Sequence, residues 1–150
     1  MGPGGRAALV AVATVAADQA AKAVVRSTIE RGADVDLILG IQLVNVRNRG
    51  VAFGMFSGGG VLLVLFALAA LAALLVFFAR NRDRPLVWLP TGLLIGGATG
   101  NLIDRAREGA VTDFIDLPAW PAFNVADMAI TFGVLTLLYV LEGPPRRGRR

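Results

Sequence analysis

The chain has 150 residues, 55% of them apolar, a mean hydropathy of +0.64 and a net charge of +4. One domain fits this length, but the apolar excess is more than a soluble domain of this size carries. The absence of histidine and cysteine excludes disulfides, thiol nucleophiles, histidine-based triads and Cys/His zinc sites, and leaves carboxylates to carry any hydrolytic chemistry.

The apolar residues concentrate in four blocks, which predict membrane spans at about 7–25, 61–79, 86–104 and 123–141. Each is near the ~20 residues a helix needs to cross ~30 Å of hydrocarbon. The arginines cluster beside them, at Arg6, at Arg80, Arg82 and Arg84, and in a tail at 143–150. Basic residues gather on the cytoplasmic side of membrane proteins, so both termini are expected inside, with outer loops at 27–60 and 106–122. On this reading the positive charge is a topology signal and not a nucleic-acid footprint.

The first block carries Asp18-Gln19-Ala20-Ala21-Lys22. It is long for the core of a cleavable signal peptide and holds two charges, so a retained span is expected. Asp18 and Lys22 lie four apart, on one helix face. Charges inside a span usually face a polar interior or a functional cavity; a packing ion pair at the helix end is the plainer alternative.

In the first outer loop, Val35, Leu37, Leu39, Ile41 and Leu43 alternate with other residues, a period of two that predicts strand, with Gly40 marking a bulge or turn. Asn48-Arg49-Gly50-Val51-Ala52-Phe53-Gly54 follows. Glycine at 50 and 54 permits unusual backbone angles or close approach, although an ordinary return loop would also use it. The second block has no polar residue and reads as scaffold, entered through a flexible Gly58-Gly59-Gly60.

The third block repeats glycine at 92, 96 and 100, a spacing that lets helices approach closely. Asp104 continues that face, and Gly97, Asn101 and Arg105 run beside it. Val111–Leu117 alternates weakly, as a short strand would, and Pro118 and Pro121 then break the chain. Asp113 falls in this outer segment, whereas Asp127 falls in the first turns of the fourth span. An aspartate there can be a helix-dipole partner and nothing more, but Asn124 precedes it by three and Asp113 lies on the same side. Two adjacent carboxyls share a proton, so one can take a proton from water while the other donates. A proton or cation site in a small transporter, or a scaffold using the glycine face, would draw on the same residues.

Together these motifs resemble those of the lipoprotein signal peptidase (signal peptidase II) family. The matching elements are Asp18-Gln-x-x-Lys22, Asn48-x-Gly50-x-Ala52-Phe53, Gly100-Asn101-x-x-Asp104-Arg105, Val111-x-Asp113-Phe114 and Phe123-Asn124-x-Ala126-Asp127, in the family's order. Val51, Met128 and Arg49 depart from its common pattern. The resemblance implies one membrane-embedded aspartic peptidase domain over 1–150, an α-helical integral membrane protein of four transmembrane helices with a small extracytoplasmic β-rich cradle. It implies that Asp113 and Asp127 are the catalytic pair. It also implies that Asp18, Lys22, Asn48, Gly50, Gly97, Asn101, Arg105, Asn124 and Ala126 bind substrate or support the site. No metal or other cofactor is implied. The expected substrate is a diacylglyceryl-modified bacterial prolipoprotein, cut just before its lipidated cysteine. Membrane lipids are expected around the chain, globomycin is the expected inhibitor, and the site should face the extracytoplasmic side of the plasma membrane.

Overall fold

The computed structural model describes residues 1–49 and 59–142. Over these residues the order is α1 (Pro3–Thr28), β1 (Asp34–Ile38), β2 (Ile41–Asn48), α2 (Gly59–Asn81), α3 (Trp88–Glu108), β3 (Val111–Leu117), β4 (Trp120–Phe123) and α4 (Val125–Glu142). Three of the helices, α1, α2 and α4, are long and apolar enough to cross a membrane. The polar groups near its end, among them Asn101, Asp104, Arg105 and Arg107, keep α3 below that composition.

Glycine spacing fixes the helix packing. A Cβ on Gly92 would lie 2.6 Å from Val10 Cβ, one on Gly96 2.6 Å from Thr14 Cβ, and one on Gly100 2.6 Å from Asp18 Oδ2. These contacts climb both helices together, so α1 and α3 run parallel at a separation that only glycine permits. On another face of α3, Gly97 approaches Ala126 and Ile130 while Leu94 approaches Gly133, so α4 runs antiparallel to α3. The start of α2 shares a hollow with Arg105 and Gly109, and its end shares one with Thr91 and Ile95, so α2 is also antiparallel. The start of α1 and the end of α4 therefore share one end of the bundle. No residue of α2 from Val61 to Asn81 is buried, as expected of a helix whose solvent is hydrocarbon.

The four strands form one antiparallel sheet in the order β1-β2-β3-β4, at the end where α1 and α3 finish. The alternation at residues 35–43 is a hairpin. Its turn, Leu39-Gly40, has positive φ at both residues, 54° and 78°, the signature of a turn whose twist matches the strands it joins. Between Leu43 and Val46 the register to β3 slips by one residue, a bulge that buries Val44 and Asn45. Asn45 Nδ2 donates to the Ile29 carbonyl at 2.8 Å, which ties the bulge to the end of α1.

Three expectations change. Residues 106–108 are not loop: α3 continues to Glu108 and ends at Gly109, which has φ 68°, because left-handed glycine is a natural helix stop. Gly59 and Gly60 belong to α2 and not to a flexible entry. Pro121 does not end regular structure but sits in β4, an edge strand whose outer side needs no amide donor.

Candidate active site

The N-terminus of α4 is the centre of the polar interior. Asn124 precedes the helix, and its Oδ1 accepts from the Asp127 amide at 2.9 Å while Asp127 Oδ2 accepts from the Asn124 amide at 3.2 Å. This is a reciprocal capping box, with aspartate in the place usually held by Glu or Gln. Its geometry commits the Asn124 side-chain nitrogen to the opposite direction, where it donates to Asp113 Oδ1 at 2.7 Å. One asparagine thus contacts both candidate acids. Asp113 comes from β3; its Oδ2 accepts from Asn48 Nδ2 on β2 at 2.9 Å. The remaining oxygen of Asp127 accepts from Asn101 Nδ2 on α3 at 2.8 Å.

Burial pushes the Asp113 carboxyl up to about 6, and the negative charge of Asp127 adds to the rise. The amides of Asn48 and Asn124, and the Lys22 charge, oppose it without cancelling it. A carboxyl in this position changes protonation close to neutral pH, as a proton-transfer group requires.

Beneath the pair lies a second cluster, whose charged groups Asp18, Lys22 and Asp104 are buried. Lys22 has no exposed side-chain surface; it sits 2.8 Å from Asp18 Oδ2 and 3.0 Å from Asp104 Oδ2 and donates to Asn101 Oδ1 at 3.1 Å. Asp18 Oδ1 accepts from the Ala126 amide at 2.9 Å, beside Asp127, and Asp104 Oδ2 accepts from the Thr112 amide at 3.1 Å, beside Asp113. Gln19 closes the cluster by donating to Asp104 Oδ1 at 3.0 Å and to the Gly100 carbonyl at 3.2 Å. Among the described residues every fully buried side-chain nitrogen and oxygen has a partner. Each candidate acid is therefore held through its own backbone neighbour by a carboxylate anchored to one lysine.

Asp113, Asp127, Asn48, Asn101 and Asn124 form the constellation itself, with Asp18 and Lys22 one layer below. Gly97 and Ala126 supply the close approach of α3 to α4: a Cβ on Gly97 would stand 2.5 Å from the Ala126 carbonyl oxygen, and Ala126 is fully buried. Arg105 donates to the Asn101 carbonyl at 3.3 Å and lines the apolar groove between α2, α3 and α4, a space of about 450 Å³. Gly50, like the rest of the loop motif after Arg49, lies outside the described residues. Gln19 and Asp104 stand in the motifs but receive no role from them, and Thr112 lies at a position the motifs leave open. The signal for Asp104 is its place on the 92-96-100 glycine row, which faces α1. No cluster of three or more carboxylates is placed to hold a metal ion among the described residues.

The profile of the family described as "Signal peptidase (SPase) II" matches residues 10–142. The lipoprotein signal peptidase of Halothermothrix orenii is 36% identical over 134 residues, covering 89% of this chain and 92% of that protein. That of Syntrophomonas wolfei is 48% identical over 106 residues, covering 69% and 71%. A bacterial membrane enzyme solved by the in meso method superposes with a TM-score of 0.85 at 32% identity, covering 96% of this chain and 95% of that one.

Proposed function

The chain belongs to the signal peptidase II family, and on that premise we propose that it cleaves by an aspartic mechanism with Asp113 and Asp127 as the catalytic pair. Membership makes it a bacterial membrane peptidase that removes signal peptides from prolipoproteins. The observation that most supports the aspartic reading is Asn124, whose amide nitrogen donates to Asp113 while its backbone and carbonyl group engage Asp127.

The chemistry follows from a shared proton. The ionised carboxylate removes a proton from water, whose oxygen attacks the scissile carbonyl. The protonated carboxyl then donates to the departing amine nitrogen as the C–N bond breaks. Asn48, Asn101 and Asn124 hold the acids in place, and Asp18, Lys22 and Asp104 hold the backbone that carries them. The site needs no covalent intermediate.

The substrate is a precursor whose cysteine bears a diacylglyceryl group, cut on the N-terminal side of that cysteine. The apolar groove supports lateral entry, because acyl chains and an apolar signal segment can stay in hydrocarbon while the peptide reaches the acids. All four helices span the plasma membrane, α3 crossing between α1 and α4 despite its polar end. Both termini lie in the cytoplasm, the sheet and the acids face outward, and membrane lipids surround α2. Globomycin blocks this cleavage.

The test is a gel-shift assay with purified protein in detergent and a diacylglyceryl-modified precursor. Loss of the signal peptide that globomycin blocks is expected. An uncut precursor in the presence of folded protein would reject this reading.

A further inference from the structure

Three hollows follow one another, each sharing an arginine with the next, and the last is lined by Asp113. The apolar groove is followed by a smaller hollow of about 330 Å³ that Arg105 shares with Arg49, Val61 and Leu65. Beyond it a cleft of about 390 Å³ is lined by Arg47, Asn48, Arg49, Asp113 and Pro121. The apolar groove suits the apolar half of a precursor, so the cleft that carries the arginines and Asp113 falls to the segment that follows the cleavage site.

The charges in that cleft are not equivalent. Arg47 is bound to Glu108, which also lies 3.4 Å from Arg26, and Arg26 has Asp104 at 3.8 Å as well. Those cations are already neutralised. Arg49 is exposed and, among the described residues, no carboxylate pairs with it. Its guanidinium presents a planar fork of donors that matches a carboxylate. The cleft thus offers one uncompensated cation beside Asp113.

We infer that Arg49 is a specificity-determining residue that favours precursors with an acidic side chain in the first few residues after the lipidated cysteine. The inference rests on the peptidase reading above and deepens it by naming a substrate class. An exposed ion pair contributes up to ~1 kcal/mol, so the preference should be about two- to five-fold in kcat/KM.

The experiment uses matched diacylglyceryl-modified precursors that carry Asp or Lys at one of the first three positions after the cysteine. Each is cleaved by the wild type, by Arg49→Gln and by Arg49→Glu, and the Asp:Lys ratio of kcat/KM is the readout. Because the ratio is internal to each enzyme, partial loss of folded protein cancels. At one or more of these positions the ratio should exceed one in the wild type, approach one in Arg49→Gln, fall below one in Arg49→Glu, and flatten in high salt. Equal ratios in all three enzymes at every position would overturn the role of Arg49 while leaving the peptidase reading intact. Failure of the wild type to cut any precursor would overturn both.

Discussion

Lys22 determines which way the amide of Asn101 faces. An ammonium group can only donate, so the atom 3.1 Å from it must be the Asn101 oxygen, and the nitrogen is thereby turned to Asp127 at 2.8 Å. A charge buried in α1 thus fixes a donor on α3 that positions an acid on α4. Asn124 is oriented in the same manner by the Asp127 amide.

Replacing either candidate acid should stop cleavage while leaving the fold. Asp113→Asn and Asp127→Asn keep shape and burial but remove proton transfer, which contributes roughly 10²- to 10⁴-fold to rate. Initial rates on a lipid-modified precursor are the measurement, with a melting curve beside them. A turnover within a few-fold of the wild type by either variant would contradict the pairing.

Asp113 should also leave a mark on stability. Its carboxyl is raised from 3.8 to about 6 in the folded protein, so the folded state holds this proton more tightly than the unfolded chain does. The associated stability is fully present below pH ~4 and is lost as pH rises through about 6, on the order of 3 kcal/mol by linkage. Wild-type protein should therefore lose more melting temperature between pH 5 and 7.5 than Asp113→Asn does. Identical pH dependence in the two proteins would show that this burial does not act on folding.

The pH–rate profile should show a limb near 6 from the same group. Asn48 holds the Asp113 value down, so Asn48→Ala should move that limb upward. A limb that stays in place, measured as kcat/KM across pH 5–8, would detach Asn48 from the acid.

Lys22→Met should damage the fold more than the chemistry of one residue suggests. It leaves the carboxylates of Asp18 and Asp104 buried without their shared cation, a change that costs about 3–5 kcal/mol. The amount of folded protein recovered in detergent and its melting temperature report this directly; wild-type values for both would remove Lys22 from its central place.

Gly97→Ala tests the helix approach. The added methyl would meet the Ala126 carbonyl oxygen at 2.5 Å, and because that atom is backbone, α4 must move away from α3. A destabilisation of about 1–3 kcal/mol is expected. Activity should fall with it, since Asn101 and Asp127 ride on the two helices being separated. Unchanged melting and turnover would mean that the helices accommodate the methyl.

Much of this protein was determined by local sequence. Apolar blocks of span length, the period-two run at 35–43, the glycine row 92-96-100 and the Asn124–Asp127 spacing each depend on contacts within a few residues or on one helix face. They are legible because periodicity and capping are local properties. The edge strand holding Pro121 was not legible, because a proline reads as a break until its neighbours show that its outer side needs no donor. Nor was the extension of α3 to Glu108, where charged residues conceal a helix that leaves the apolar zone.

Only the tertiary structure decided how the acids are held. The pairs Asp18–Ala126, Gln19–Asp104, Lys22–Asn101 and Asn48–Asp113 are separated by 65 to 108 residues in the chain. No local period encodes them. They come together because glycine lets α1 and α4 close on α3, and because a bulge in β2 sets its register along β3. A buried polar group must find a partner when water is excluded. The sequence supplied the groups, and the packing of four helices under one sheet determined which of them meet.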